Sequence, residues 1–238
     1  MQRCMGGRVA GHGSFRRAIL ALAVTLCTVL LPANAGVHAG ELEVRVQDRT
    51  ARGVPGVVVI AEPDRPIHGH GAARTAVMDQ IHMQFRPNIL VIQTGSAVDF
   101  PNSDQIRHQV YSFSAAKKFE LSLYAGHKYP PVLFDRPGLV IVGCNIHDNM
   151  IGYIYVTDSP FFGRTDAAGR VLLHGLPAGD YTLKAWHPGM HEPGGKTLQA
   201  RLTLAAGARA QQVFTLTRPL LPDMNAMGDM GSMHWAQD

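Results

Sequence analysis

Proline and glycine interrupt nearly every periodic run in this chain, and that punctuation decides what it can fold into. With 25 Gly and 15 Pro spread along 238 residues, helix content is expected to be low. What survives between the breaks are short runs rich in β-branched and aromatic residues. Leu139 to Val142 and Ile151 to Val156 are two of them, and both read as strands. The expected fold class is all-β.

The first 35 residues stand apart. Arg16 and Arg17 precede an apolar run from Ala18 to Leu31, which leads into Ala33-Asn34-Ala35, with small residues at the two positions a signal peptidase reads. The run spans about 14 residues, short of the roughly 20 that a membrane-spanning helix needs. Residues 1–35 therefore read as a secretory signal cleaved after Ala35 or, as second choice, Ala39. The mature chain is expected in the periplasm, without membrane insertion. Four of the 22 Lys and Arg (Arg3, Arg8, Arg16 and Arg17) and none of the 18 Asp and Glu fall in this segment, so the mature chain balances its charges. A near-neutral surface without basic runs offers no footprint for nucleic acid or anionic lipid. Cys4 and Cys27 leave with the signal, which makes Cys144 the one thiol of the mature chain. An intramolecular disulfide is then impossible, and Cys144 is either an inert core residue or a ligand.

Its neighbours favour a ligand. Gly143-Cys144-Asn145-Ile146-His147-Asp148-Asn149-Met150 is a C-x-x-H-x-x-M loop between the two strand-like runs, and turn-prone Asn and Asp suit the connection. A second imidazole comes from His108, which follows another strand and a turn from Val98 to Arg107. Two His and one Cys with a weaker thioether form the ligand set of blue copper. In such a site Cys144 is the covalent thiolate, His108 and His147 are neutral nitrogen donors, and Met150 is the long axial ligand. All four positions are filled by protein, so the arrangement suits electron passage rather than catalysis, and no enzyme activity is expected. Singly, His108 reads as a turn histidine and Met150 as core filling; together their spacing favours one mononuclear copper ion. A metal-free relic of such a site, or another metal or redox use of Cys144, are the competing readings.

These residues carry a resemblance. From Phe85 to His108 the chain matches F-x-P-x-x-L-x-V-x-x-G-x-x-V-x-F-x-N-x-D-x-x-x-H with Ile92 at the first V, and Met78 to Asp158 resembles a cupredoxin of the plastocyanin, amicyanin and pseudoazurin type, with the C-x-x-H-x-x-M spacing most similar to amicyanin. The whole chain also resembles plastocyanin-like proteins labelled methylamine utilisation proteins, which pair such a module with a small β-sandwich. The resemblance implies a Greek-key β-sandwich and copper at His108, Cys144, His147 and Met150. One departure is Gln109, where plastocyanin-like proteins often carry an Asn that braces the ligand loops.

The flanks suggest a second sandwich. Leu42 to Pro63 alternates apolar and polar residues around a turn, as a half-buried β-hairpin does, and Gly163 to Gly189 again reads strand, turn, strand. Val44 to Val59 and Thr165 to Tyr181 resemble two successive parts of a carboxypeptidase regulatory-like or transthyretin-like (Ig-like) sandwich, here about a hundred residues apart. The expected plan is a copper domain of residues 64–159 inserted into a discontinuous sandwich of 41–63 and 160–218, as surface turns with close ends allow. The alternative is three separate segments. Residues 219–238 are expected to form a flexible tail in which Met224, Met227, Met230 and Met233 recur at every third position. This spacing could hold Cu(I), but a low-complexity terminus is the favoured reading.

The remaining histidines carry less. His82 precedes the first cupredoxin strand, His68 and His70 read as a surface loop, and Pro188 and Gly189 between His187 and His191 oppose the helix that would align them. No G-x-S-x-G, C-x-x-C-H or H-E-x-x-H motif occurs, which leaves hydrolase and haem readings without support. The expected function is therefore an exported copper protein that passes single electrons between periplasmic redox partners, a dehydrogenase among the candidates. A copper-delivery protein using the same site and the tail is the alternative.

Overall fold

Seventeen strands and no helix make up the described residues, which in this computed structural model are 39–65, 67, 74–193 and 195–222. The signal-like segment 1–35, His68, His70 and the Met-rich positions beyond 222 lie outside them. Among the described residues no helix is long and apolar enough to cross a membrane.

Two groups of sheets form. In the first, Gly40–Gln47 lies between Arg170–Leu176 and Arg209–Thr215, and Val58–Pro63 lies between Phe162–Arg164 and Gly179–Trp186, with Thr197–Leu204 outermost. The alternating burial of Gly40–Gln47 turns Leu42, Val44 and Val46 inward. They pack with Val57, Val59, Ala61, Leu183 and Phe214 in one core. Strands flanking residues 64–159 on either side thus share both sheets. The loops that join them meet tightly: a Cβ at Gly53 would fall 2.0 Å from the Ala168 carbonyl oxygen, and Gly169, at φ +73°, leaves a Cβ 2.3 Å from that of Val46. Glycine is required at both positions.

The hairpin expected over Leu42 to Pro63 does not form: Gly40–Gln47 and Val58–Pro63 enter different sheets. The reason is that Val57 to Ala61 is buried on both faces. Val57, Val59 and Ala61 face the sandwich core, while Val58 and Ile60 face outward into a second apolar cluster. A strand covered on both sides belongs in the middle of a sheet, and it takes Phe162–Arg164 and Gly179–Trp186 as its neighbours.

The second group is built around a five-stranded sheet in the order Ile89–Gln93, Ile151–Thr157, Gly138–Gly143, His108–Ser114 and Lys117–Tyr124. A three-stranded sheet of Val132–Phe134, Ser96–Asp99 and Thr75–Val77 and a hairpin of Asp79–Ile81 with Gln84–Arg86 accompany it. Phe85, Val98, Phe100, Val110, Phe134, Val140, Val142 and Ile154 fill this core, and Cys144 and Met150 belong to it. Where the two groups touch, Trp186 sits against Tyr153 and Tyr155, beside Val58, Ile60 and Ile89. The described residues form one compact unit.

Candidate metal centre

Strand pairing sets the geometry of the Cys144 loop. Gly138–Gly143 and Ile151–Thr157 run antiparallel with Gly143 opposite Ile151, as expected of two strands flanking a short connection. Residues 144 to 150 must therefore close between adjacent strands. They do so by two backbone hydrogen bonds: the Cys144 N–H donates to the Met150 carbonyl (3.2 Å) and the Met150 N–H to that of His147 (3.0 Å). Cys144 and Met150, at the neck, are buried at 4% and 1% exposure. His147, farther out, is half-buried, and Ile146 beside it is exposed.

His108 opens the strand that runs beside Gly138–Gly143 on its other edge. The loop before it folds around Asn102, whose Nδ2 donates to the carbonyls of Ile106 (2.9 Å) and Tyr124 (2.8 Å), while its Oδ1 accepts the Asp104 N–H (3.0 Å). Held this way, His108 is fully buried. Its Nδ1 lies 3.2 Å from His147 Nδ1 and 3.9 Å from Cys144 Sγ, and His147 Nδ1 is 3.7 Å from the same sulfur.

Among the described residues these three form a group whose donor atoms converge as around a metal ion. The point equidistant from the two nitrogens and the sulfur lies about 2.1 Å from each, from the three separations above, against metal–nitrogen and metal–sulfur bonds of roughly 2.0–2.3 Å. The residues thus fit a small metal ion, which His108, His147 and Cys144 would hold, and a soft sulfur with two imidazoles suits copper. Burial, with the His108 ring beside it, holds His147 below the ordinary histidine value, which keeps the ring neutral as a ligand must be.

Not every candidate joins the group. His82 is exposed, in the turn between Asp79–Ile81 and Gln84–Arg86. Gln109 donates from Nε2 to Glu120 Oε1 at 2.6 Å on the surface and braces no ligand loop. That work falls to Asn102 and to Asp104, whose Oδ2 is 2.7 Å from His108 Nε2. Burial pushes the Asp104 carboxyl up, but the Met83 amide, the His108 ring and the His82 amide together hold it below its usual range. Both residues stand in the Phe85–His108 pattern, yet spacing does not distinguish a buried partner from a solvated loop carboxylate.

No family model matches the chain, and neither does any curated protein. Among solved structures it is similar to a copper-containing nitrite reductase from Thermus scotoductus SA-01, with 23% identity over 39% of this chain and 25% of that one, at a TM-score of 0.33. It is also similar to a purple cupredoxin from Nitrosopumilus maritimus, with 19% identity over 36% of this chain and 100% of that one, TM-score 0.31. The reduced state of an amicyanin variant matches with 18% identity over 41% of this chain and 98% of that one, TM-score 0.31. The chain spans a quarter of the length of the reductase.

Proposed function

We propose that residues 64–159 form a cupredoxin-type copper domain, set into a discontinuous sandwich of 41–63 and 160–218, and that the protein carries single electrons between periplasmic redox partners. The observation that carries this reading is the convergence of His108 Nδ1, His147 Nδ1 and Cys144 Sγ around one point at bonding distance from all three. Met150, buried beside Cys144 in the same core, is the proposed fourth ligand. Bound copper would supply a one-electron couple between Cu(I) and Cu(II).

The protein's part is to hold the donors still. His108 and Cys144 are locked in a packed core, so neither has room to rearrange when the charge at the site changes. His147 alone among the three reaches partway to solvent, beside exposed Ile146, and its ring edge is the proposed way out for the electron.

The deciding experiment is an optical and paramagnetic-resonance spectrum of the purified protein with one equivalent of Cu(II), followed by voltammetry. Expected are an intense visible thiolate-to-copper band and a reversible one-electron wave. A colourless protein from which copper separates on gel filtration would overturn the proposal.

A further inference from the structure

Asp104 serves three donors with one carboxylate. Its Oδ1 accepts the His82 N–H at 2.6 Å, and its Oδ2 accepts the Met83 N–H at 2.9 Å and contacts His108 Nε2 at 2.7 Å. The His108 side chain is fully buried and that of Asp104 is 13% exposed. His82 and Met83 form a two-residue hairpin turn with φ of 55° and 56°, a left-handed pair that ordinarily calls for Asn-Gly. Residues other than glycine take that conformation uncommonly, Met less often than His, and the carboxylate that binds both amides holds them in it.

This arrangement decides which way the third contact runs. Backbone amides only donate, so both carboxylate oxygens already act as acceptors. Donors to both oxygens favour the ionised carboxylate, which only accepts, so the proton shared with His108 sits on Nε2 and leaves the Nδ1 lone pair turned toward His147 and Cys144. A carboxylate behind an imidazole fixes its tautomer and raises its strength as a donor. We infer that Asp104 is a positioning residue that holds His108 in its ligand tautomer and strengthens it as a donor, biasing the bound ion toward Cu(II). The bias toward Cu(II) rests on the copper reading; the tautomer does not.

The test has two arms. In the metal-free full chain, nitrogen-15 resonances of the His108 ring are expected to show the proton on Nε2; a proton on Nδ1 overturns the inference. In the copper-loaded chain, Asp104→Asn is expected to raise the reduction potential and to weaken metal affinity about 10–100-fold. A tenfold loss of preference for Cu(II) over Cu(I) reads as a rise of about 59 mV. Because Asp104→Asn also loosens the His82–Met83 turn, the double variant with Met83→Gly is measured beside it, glycine adopting the left-handed conformation unaided. The raised potential is expected to persist in the double variant. A potential restored to the wild-type value there would make Asp104 a turn clamp only and overturn the inference. If the wild-type chain takes up no copper, the copper reading fails while the ring measurement still decides the tautomer.

Discussion

His108 and His147 turn their Nδ1 atoms toward each other at 3.2 Å, closer than two lone pairs rest without a proton or a cation between them. A metal ion at that point removes the conflict, so binding should stabilise the folded chain. At a free concentration one hundred times the dissociation constant, linkage gives about 2.7 kcal/mol, or roughly 5–10 °C in Tm for a chain of this size. Calorimetric scans with and without Cu(II), and after chelation, should show the rise and its reversal. An unchanged Tm would mean that the facing imidazoles hold no ion.

Cys144 and Met150 are expected to part company when substituted. Cys144→Ala removes the thiolate and with it the visible band. Met150→Leu is nearly volume-conserving at a site only 1% exposed, and should cost less than about 1.5 kcal/mol. It should keep the band while raising the potential, because a fourth donor stabilises the more highly charged Cu(II) more than Cu(I) and Leu supplies none. Absorption and voltammetry of the two variants settle both points, and colour retained without Cys144 would rule out the proposed centre.

How far each feature could be read in advance follows from where its signal lies along the chain. Cys144, His147 and Met150 sit within seven residues between two β-branched runs, so their chemistry and their strand context were legible together. The turn at Asp104 was not, because its partners are the amides of His82 and Met83, more than twenty residues away, and an amide has no sequence signature. Val57 to Ala61 misled for a different reason. Alternation reports a strand with one covered face, whereas this strand has two, and the second cover, with Trp186 and Ile89, comes from distant segments.

Glu192 should give the stability of the sandwich an acid limb. Its carboxylate accepts the amides of Thr217 (3.0 and 3.1 Å) and Arg218 (3.1 Å) and the Thr217 hydroxyl. Burial pushes the carboxyl up, but the Thr217 hydroxyl and the Arg218 and Thr217 amides hold it below its ordinary value of 4.5. A folded-state value below the unfolded one means that this stability is present above pH 4.5 and is lost as pH falls through the folded value. Glu192→Gln should therefore cost about 1.5–3 kcal/mol at neutral pH, and the gap to wild type should close on acidification. Urea midpoints measured across that range provide the check; a gap independent of pH would place the stabilisation elsewhere.

Trp186 makes the sharpest claim about how the two groups of sheets behave together. It is 3% exposed, with ring centroids 5.5 Å from Tyr155 and 5.9 Å from Tyr153, and its neighbours Ala185 and Leu183 face the sandwich core instead. Truncation to Ala should thus empty the boundary without disturbing the interior of either group. The loss is about 3–5 kcal/mol if the void does not collapse. Because the Trp186 ring meets both Tyr153 and Tyr155 across the boundary, the penalty should also appear as lost cooperativity. Wild type is expected to unfold in one transition by far-ultraviolet circular dichroism and by the copper band alike. In Trp186→Ala the two probes should separate, and coincident transitions at the wild-type midpoint would show that the contact carries no coupling.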